Sequence, residues 1–266
     1  MNIFILILNY NRKKETLKCL KLFNKPDYLK NIIVIDNGSQ DNSVNAISGN
    51  YPKIKIIENK QNLGFSKGMN VGIKYALEKG AEKILLLNND IEFTPKSFRA
   101  LINSEGNIVG PVLQFERNGE TVYDFGGHFN KFTGRTYHEE TTVRNKIKAR
   151  NLDYVSGAVI LIKREVFEKI GLFDERFFLY YEDADFCYRA KKAGFIVKLE
   201  PKSIFFHKLG ATSGRNSKIT LCHNLRSNLL FINKNIIWFK RPIAWGYWGL
   251  LVIKVICNQL LASFRD

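Results

Sequence analysis

Short apolar runs recur along the first 113 residues, at positions 3–8, 32–35, 84–87 and 108–113, with a fifth strand-like stretch, interrupted by Lys55, at 54–57. An unbroken apolar run of this length marks a strand covered on both faces, the kind found inside parallel sheets. Helical patterns lie between the runs. Leu17, Leu20 and Phe23 share a helical face, and a short helix is expected from about Asp41. Ser66 reads as the N-cap of a helix carrying Met69, Ile73, Ala76 and Leu77, stopped by Gly80, and Thr94-Pro95 reads as N-cap and first residue of the next. Strands alternating with helices over short loops predict an α/β chain with a parallel, doubly wound sheet.

Residues 114–150 break that rhythm. Asn118-Gly119 is a hairpin signal inside a polar, basic and aromatic stretch, so an inserted hairpin or loop is expected. Regular structure resumes with an apolar run at 154–162, a helix over 164–170 stopped by Gly171, and a helix over 182–193 stopped by Gly194. Two further strands are expected at 195–199 and 203–206, then two helices across 218–264 separated near Pro242. A chain of 266 residues can bury a large core without staples. Its four cysteines lie far apart with no C-x-x-C pair, which argues against a disulfide scaffold or zinc ribbon and for a reducing compartment. The first apolar run is too short for a signal peptide and has no basic residue ahead of it, so a cytoplasmic location is expected.

In an open parallel sheet, ligands sit at the carboxyl ends of the strands. Three polar clusters fall there: Asn9-Tyr10-Asn11, Asp36-Asn37-Gly38-Ser39 and Asn88-Asn89-Asp90. A fourth, running from Asn62 through Gly64, Phe65 and Gly68 to Asn70, opens a helix whose free N–H groups suit phosphate. Each cluster alone is an ordinary turn with a cap; four at successive strand ends point to a ligand site. The dinucleotide and P-loop signatures are absent, because Gly64, Gly68 and Gly72 are spaced by four and follow the third strand.

These clusters in order, followed by Val155-Ser156-Gly157-Ala158, Gly171-Leu172-Phe173-Asp174, Tyr181-Glu182-Asp183-Ala184-Asp185 and His207-Lys208, resemble the family 2 inverting glycosyltransferases of the GT-A fold, in their rhamnosyltransferase-like branch. The resemblance covers about residues 1–215. It implies a mixed, mostly parallel sheet flanked by helices, with a C-terminal helical extension. It also implies a catalytic domain over 1–217, with a nucleotide-binding half (1–113) and an acceptor half (114–217), followed by a basic segment over 218–266. The family's Asp-x-Asp is here Asn88-Asn89-Asp90, with one carboxylate.

The resemblance further implies a dTDP- or UDP-sugar donor. Asp36 would accept the N3–H of the base, and Asn9, Tyr10, Asn11, Asn37, Asn88, Asn89 and the Gly64–Asn70 loop would line the nucleotide. Asp90 and His207 would hold Mn²⁺ or Mg²⁺ on the diphosphate. Asp183 would be the base, with Glu182 and Asp185 orienting it or binding the acceptor. The implied acceptor is a lipid-linked saccharide.

Charge leaves other readings open. The chain carries 41 basic and 25 acidic residues, a net +16. Ten Lys/Arg against one acid fall within 202–266. A basic nucleic-acid-binding protein is one rival, but acids at successive strand ends would repel phosphate unless a metal intervened. A sugar-phosphate nucleotidyltransferase is another, and would open with a Gly-rich loop and Lys where Asn9-Tyr10-Asn11-Arg12 stands. No nucleic-acid partner is expected. Trp238, Trp245 and Trp248 lie beside Lys240 and Arg241, a composition suited to a membrane interface. The longest uncharged run there, 242–253, is twelve residues, against the ~20 a spanning helix requires. Peripheral binding to the anionic inner face of the cytoplasmic membrane is therefore expected.

Overall fold

The computed structural model describes residues 2–23, 26–144, 147–148, 150, 152–208 and 218–263. The first half alternates β1 (Ile3–Asn9), α1 (Lys13–Leu20), α2 (Pro26–Leu29), β2 (Ile32–Asp36), α3 (Ser43–Asn50), β3 (Lys55–Glu58), α4 (Gly64–Glu78) and β4 (Lys83–Asn88). There follow β5 (Ile91–Phe93), α5 (Pro95–Ile102), β6 (Ile108–Arg117), β7 (Glu120–Phe129), β8 (Thr136–Thr141), β9 (Val159–Lys163) and α6 (Arg164–Ile170). The chain continues through α7 (Glu182–Lys192), β10 (Val197–His207), α8 (Lys218–Asn235), a 3₁₀ turn at Trp238–Lys240 and α9 (Arg241–Ser263).

One sheet runs in the order β3-β2-β1-β4-β9-β6-β10-β5, with β7 and β8 extending it from β6. β1, β2, β3 and β4 are parallel, as the early apolar runs predict. The second half departs from the doubly wound pattern. β9 enters between β4 and β6 antiparallel to both, giving the mixed sheet that the resemblance implies. The strands expected at 195–199 and 203–206 are a single strand, β10, whose register on β6 shifts between Glu200 and Ile204. Pro201 sits in that irregular stretch, where its missing N–H interrupts the apolar signal and the ladder together.

The buried strands divide their side chains between two cores. Leu6, Ile33 and Ile35 pack with Met69 and Ile73 of α4 and Phe186 of α7. Ile5, Ile7, Ile32 and Val34 pack with Cys19 and Leu20 of α1 and Phe98 of α5. Close approach of α4 to the sheet explains its glycine spacing: a Cβ on Gly72 would lie 2.6 Å from Ile35 Cδ1.

The boundary expected at 217 lies outside the described residues, and α8 is not a separate unit. Phe231 is fully buried in the main core against Phe129, Tyr181 and Tyr188. Ser227 Oγ donates to the Leu179 carbonyl (2.8 Å) and Asn228 Nδ2 to that of Gly134 (3.0 Å). The extension proper is α9, which covers Ile232 and Ile236 with Ala244 and Trp248.

Candidate active site

Strand direction collects the site at one edge of the sheet. The carboxyl ends of β1, β2, β4 and β10 meet there with the amino ends of β5 and β9.

At the β1–β2 end, buried Asp36 is held by its own chain. Asn9 Nδ2 donates to Oδ1 (2.6 Å) and the Ser39 N–H to Oδ2 (2.8 Å). Thr16 Oγ1 donates to Asn9 Oδ1 (2.7 Å) and accepts from Asn89 Nδ2 (2.9 Å), which ties this loop to the tip of β4. Asn11 adopts a left-handed backbone (φ 52°), gives its N–H to Ser39 Oγ and accepts from Gln40 N–H. Tyr10 projects between these fixed groups, 42% exposed.

The first turns of α4, Gly64–Asn70, are tied closely into their surroundings. Asn37 binds the Gly64 carbonyl (3.0 Å) and accepts from Asn59 Nδ2 (2.9 Å). Gly68 is pressed against the Asn37 amide, where a Cβ would approach to 2.9 Å. Buried Phe65 gives its N–H to Phe178 O (2.7 Å). Buried Asn70 pairs both ways with the Phe173 backbone, donating at 2.9 Å and accepting at 3.1 Å. Asn37, Phe65, Gly68 and Asn70 thereby brace the start of α4; a polar motif does not reveal which way its amides turn. Gly64 has φ +77°, and its Cβ would lie 2.6 Å from Phe178 O, so only glycine fits.

Asp90 and His207 come together as the resemblance implies. β5 pairs with β10 so that Ile91 stands opposite His207, and His207 Nε2 lies 3.5 Å from Asp90 Oδ1. That is too long for a hydrogen bond, and Asp90 Oδ1 is buried with no hydrogen-bond partner among the described residues. An unsatisfied buried carboxylate oxygen facing an imidazole is a donor pair suited to a cation. No group of three or more His, Cys, Asp or Glu able to hold a metal occurs among the described residues, so a bound ion would take its other donors from substrate and water.

The acidic cluster opens α7 after two successive left-handed residues, Tyr180 (φ 68°) and Tyr181 (φ 66°). Backbone held in this region stores strain of the kind found at functional sites. Asp183 is partly exposed and accepts from the N–H of Gly157 (2.9 Å) and of Ala184 (2.7 Å). Burial pushes its carboxyl up, against the pull of those N–H groups and of His138. Glu182 is buried, with Oε2 unpartnered among the described residues. Burial first, and the Asp183 charge second, push it well above the ordinary glutamate range. One residue beyond Gly157, the Ala158 carbonyl accepts the Asn88 N–H (2.8 Å), so the tip of β4 and Asp183 are joined through a short backbone path.

Asp185 sits at the centre of an ion-pair cluster. It is fully buried and binds Arg189 Nε (2.9 Å), Lys234 Nζ (2.8 Å) and Asn235 Nδ2 (2.9 Å). Lys234 also reaches Asp174 (2.7 Å), and Arg189 caps the Ile170 and Leu172 carbonyls. Asp185 is thus a hub locking α8 onto α7. The i, i+3 spacing with Glu182 gave the shared face correctly but could not show that α8 covers it.

The model of the family described as glycosyl transferase family 2 matches residues 4–171, more than half of the chain. The chain belongs to glycosyl transferase family 2. Among family relatives, it is 25% identical over 252 residues to N-acetylglucosaminyl-diphospho-decaprenol L-rhamnosyltransferase of Mycobacterium tuberculosis, covering 84% of this chain and 81% of that one. It is 28% identical over 248 residues to dTDP-rhamnosyl transferase RfbF of Shigella flexneri, covering 88% and 81%. A solved structure of GalNAc-T7 with UDP, GalNAc and Mn²⁺ superposes with a TM-score of 0.68 at 15% identity, over 88% of this chain and 48% of that one. The S. aureus TarS 1-349 structure in complex with UDP-GlcNAc gives 0.56 at 15% identity, over 92% and 70%. These two likenesses establish the GT-A fold. As a family 2 glycosyltransferase the chain is an enzyme, and neither the nucleotidyltransferase nor the nucleic-acid-binding reading is favoured.

Two functional neighbours escape sequence reasoning. Thr16 links the β1 and β4 ends, and nothing in its helical context marks it. His138, on the inserted hairpin, contacts Asp124 at 2.8 Å and interacts electrostatically with Asp183. Asn118-Gly119 made the β6–β7 turn legible, but not the second hairpin, β7–β8, whose register sets His138 opposite Gly127.

Proposed function

We propose that this glycosyltransferase is inverting and moves rhamnose or another hexose from a dTDP- or UDP-sugar to a lipid-linked saccharide, in surface-polysaccharide assembly on the cytoplasmic side of the membrane. The observation that carries the reading is the backbone path from Asn88 through Ala158 and Gly157 to Asp183, beside Asp90. It sets a candidate base next to a candidate diphosphate site. The names of the rhamnosyltransferase relatives support the choice of sugar and of a lipid-linked acceptor.

In this mechanism Asp36, steadied by Asn9 and Ser39, accepts the N3–H of uracil or thymine with a remaining lone pair. Tyr10 lies over the base or ribose. Asp90 and His207 would hold a divalent cation, Mn²⁺ or Mg²⁺, which would supply positive charge to offset that of the departing diphosphate. Asp183 accepts the proton of the acceptor hydroxyl as its oxygen bonds to the anomeric carbon, and the carbon–phosphate-oxygen bond breaks on the opposite face. Burial pushes the Glu182 carboxyl well up, which opposes a second negative charge beside Asp183. A hydrolysis and transfer screen over nucleotide sugars tests the reading. dTDP-rhamnose or a UDP-hexose should be consumed faster with a polyprenyl-diphosphate saccharide present. Consumption of none of them, with or without Mn²⁺, overturns it.

A separate observation supports the membrane as partner. Eight large apolar side chains between Ile237 and Ile256 are exposed, with Trp238 at 75% and Leu250 at 66%. Lys240, Arg241 and Lys254 stand among them, and each basic residue near an anionic leaflet contributes about 1 kcal/mol. Among the described residues no helix is long and apolar enough to cross a membrane.

A further inference from the structure

The β7–β8 hairpin brings a carboxylate–imidazole pair to the acidic head of α7. Asp124 is buried, takes the Gly126 N–H on Oδ1 (2.8 Å), and lies 2.8 Å from His138 Nδ1 through Oδ2. A ring nitrogen bonded to a carboxylate carries the proton, which leaves Nε2 as the variable site. Nε2 has no hydrogen-bond partner among the described residues, and the side chain is 38% exposed. The His138 ring meets the Tyr154 ring edge-on at 5.4 Å. Tyr154 is anchored by paired backbone bonds with Gly127 (2.9 and 3.1 Å), and three residues later Gly157 gives its N–H to Asp183. The hairpin, the Tyr154–Gly157 loop and the head of α7 thus form one packed unit around Asp183.

We propose that His138, oriented by Asp124, is a positioning residue for the transfer, and that its positive charge keeps Asp183 ionised to take the acceptor proton. The proposal rests on Asp183 being the base. The charges acting on His138 are those of Asp124 on β7, Glu140 on β8 and Asp183 on α7, beside the Tyr154 ring; Arg117 on β6 binds Glu140 through both guanidinium nitrogens (2.7 and 2.9 Å) and acts on Asp124. Burial pulls the imidazole down, but the hydrogen bond and charge of Asp124, with the charges of Asp183 and Glu140, outweigh it and raise its affinity for a proton. Reciprocally, His138 pulls the Asp183 carboxyl down against burial. His128, on the same hairpin, pairs instead with Asp153 (3.3 Å).

The test is the pH profile of kcat for the full chain with saturating donor and acceptor. Losing the imidazolium raises the Asp183 pKa, so in His138→Gln the acid limb should move up by about one pH unit, while the plateau stays within several-fold of wild type. His138→Lys, which keeps a positive charge, should restore the wild-type limb. An acid limb of His138→Gln that superimposes on wild type, or a uniform loss at every pH with no shift, overturns the proposal. Asp183→Asn separates the two readings: if it retains wild-type turnover, the base assignment itself fails.

Discussion

His207 Nε2 and Asp90 Oδ1 sit 3.5 Å apart because three residues of β5 pair antiparallel with the last three of β10. The contact joins two segments far apart in sequence, and the Lys208 N–H closes it by donating to the Asp90 carbonyl (3.2 Å). Asp90 Oδ1 has no hydrogen-bond partner among the described residues, which suits the pair to the cation proposed above. His207→Ala and Asp90→Asn should each weaken Mn²⁺-dependent binding of UDP or dTDP by tenfold or more, the lower end for a lost ligand or its support. Metal-free nucleotide affinity should stay near wild type, since Asp36 is fixed separately by Asn9 and Ser39. Calorimetric titration with and without Mn²⁺ distinguishes these outcomes; an unchanged His207→Ala titration would return that histidine to a structural role.

Asp183→Asn keeps the shape and the two backbone N–H contacts but removes the acceptor for a proton. Turnover should fall by about 10² or more, with the KM for donor little changed. Steady-state kinetics with saturating acceptor reads the effect.

The carboxylate three positions before Asp185 has the opposite character to Asp185 itself. Glu182 is buried and one oxygen is unpaired, and burial and Asp183 hold its pKa above the ordinary 4.5. A carboxyl raised on folding costs stability as pH climbs above its unfolded value, because the unfolded chain then releases a proton that the buried native carboxyl retains. Below that value both states are protonated and the cost vanishes. Glu182→Gln should therefore raise Tm at pH 8 and leave it nearly unchanged at pH 4. Thermal melts at the two pH values check this, and an equal shift at both would contradict it.

Asp185 has the reverse sign. Removing it strands Arg189 and Lys234 against a buried site, and breaking such a pair typically costs about 3–5 kcal/mol. Asp185→Ala should lose stability of that order in urea unfolding. Since both cations are partly exposed, the lower end is expected.

The contrast between these two acids shows what the sequence made legible. Strands buried on both faces announce themselves, so β1, β2, β4 and their polar ends were readable, as was α6 with Gly171 turning away at φ +75°. Elements whose place depends on distant partners were not. β5 is three residues long and exists through its pairing with β10, and α8 has mixed polarity because its buried face carries Ser227, Asn228 and Lys234, each satisfied by a remote group. Asn70 and Asp185 looked like ligand-binding residues for the same reason. A polar side chain at a strand or helix end reads alike whether it faces a substrate or a buried carbonyl.

The outer surface of α9 supplies the last prediction. Ala244 and Trp248 face inward, where Trp248 Nε1 donates to the Leu225 carbonyl (2.9 Å) and the helix covers Ile232 and Ile236. Ile243, Leu250 and Ile253 lie on the opposite side, exposed, so the helix is apolar on both faces. A helix apolar all round needs cover on each side, and α8 provides only one. Truncation would uncover Ile232 and Ile236, so substitution on the outer face is the cleaner probe. Leu250→Glu with Ile253→Glu replaces two exposed side chains, leaves the inner contacts in place, and should not lower Tm. Each buried apolar side chain lost from an interface forfeits about 1.5–3 kcal/mol, and each carboxylate adds repulsion from anionic lipid. The double variant should therefore lose co-sedimentation with phosphatidylglycerol vesicles by tenfold or more at low salt. Wild-type binding should weaken at high salt, because the basic residues near α9 act through a screened field. Equal pelleting of wild type and variant, or none by either, would remove the bilayer as the partner of this face.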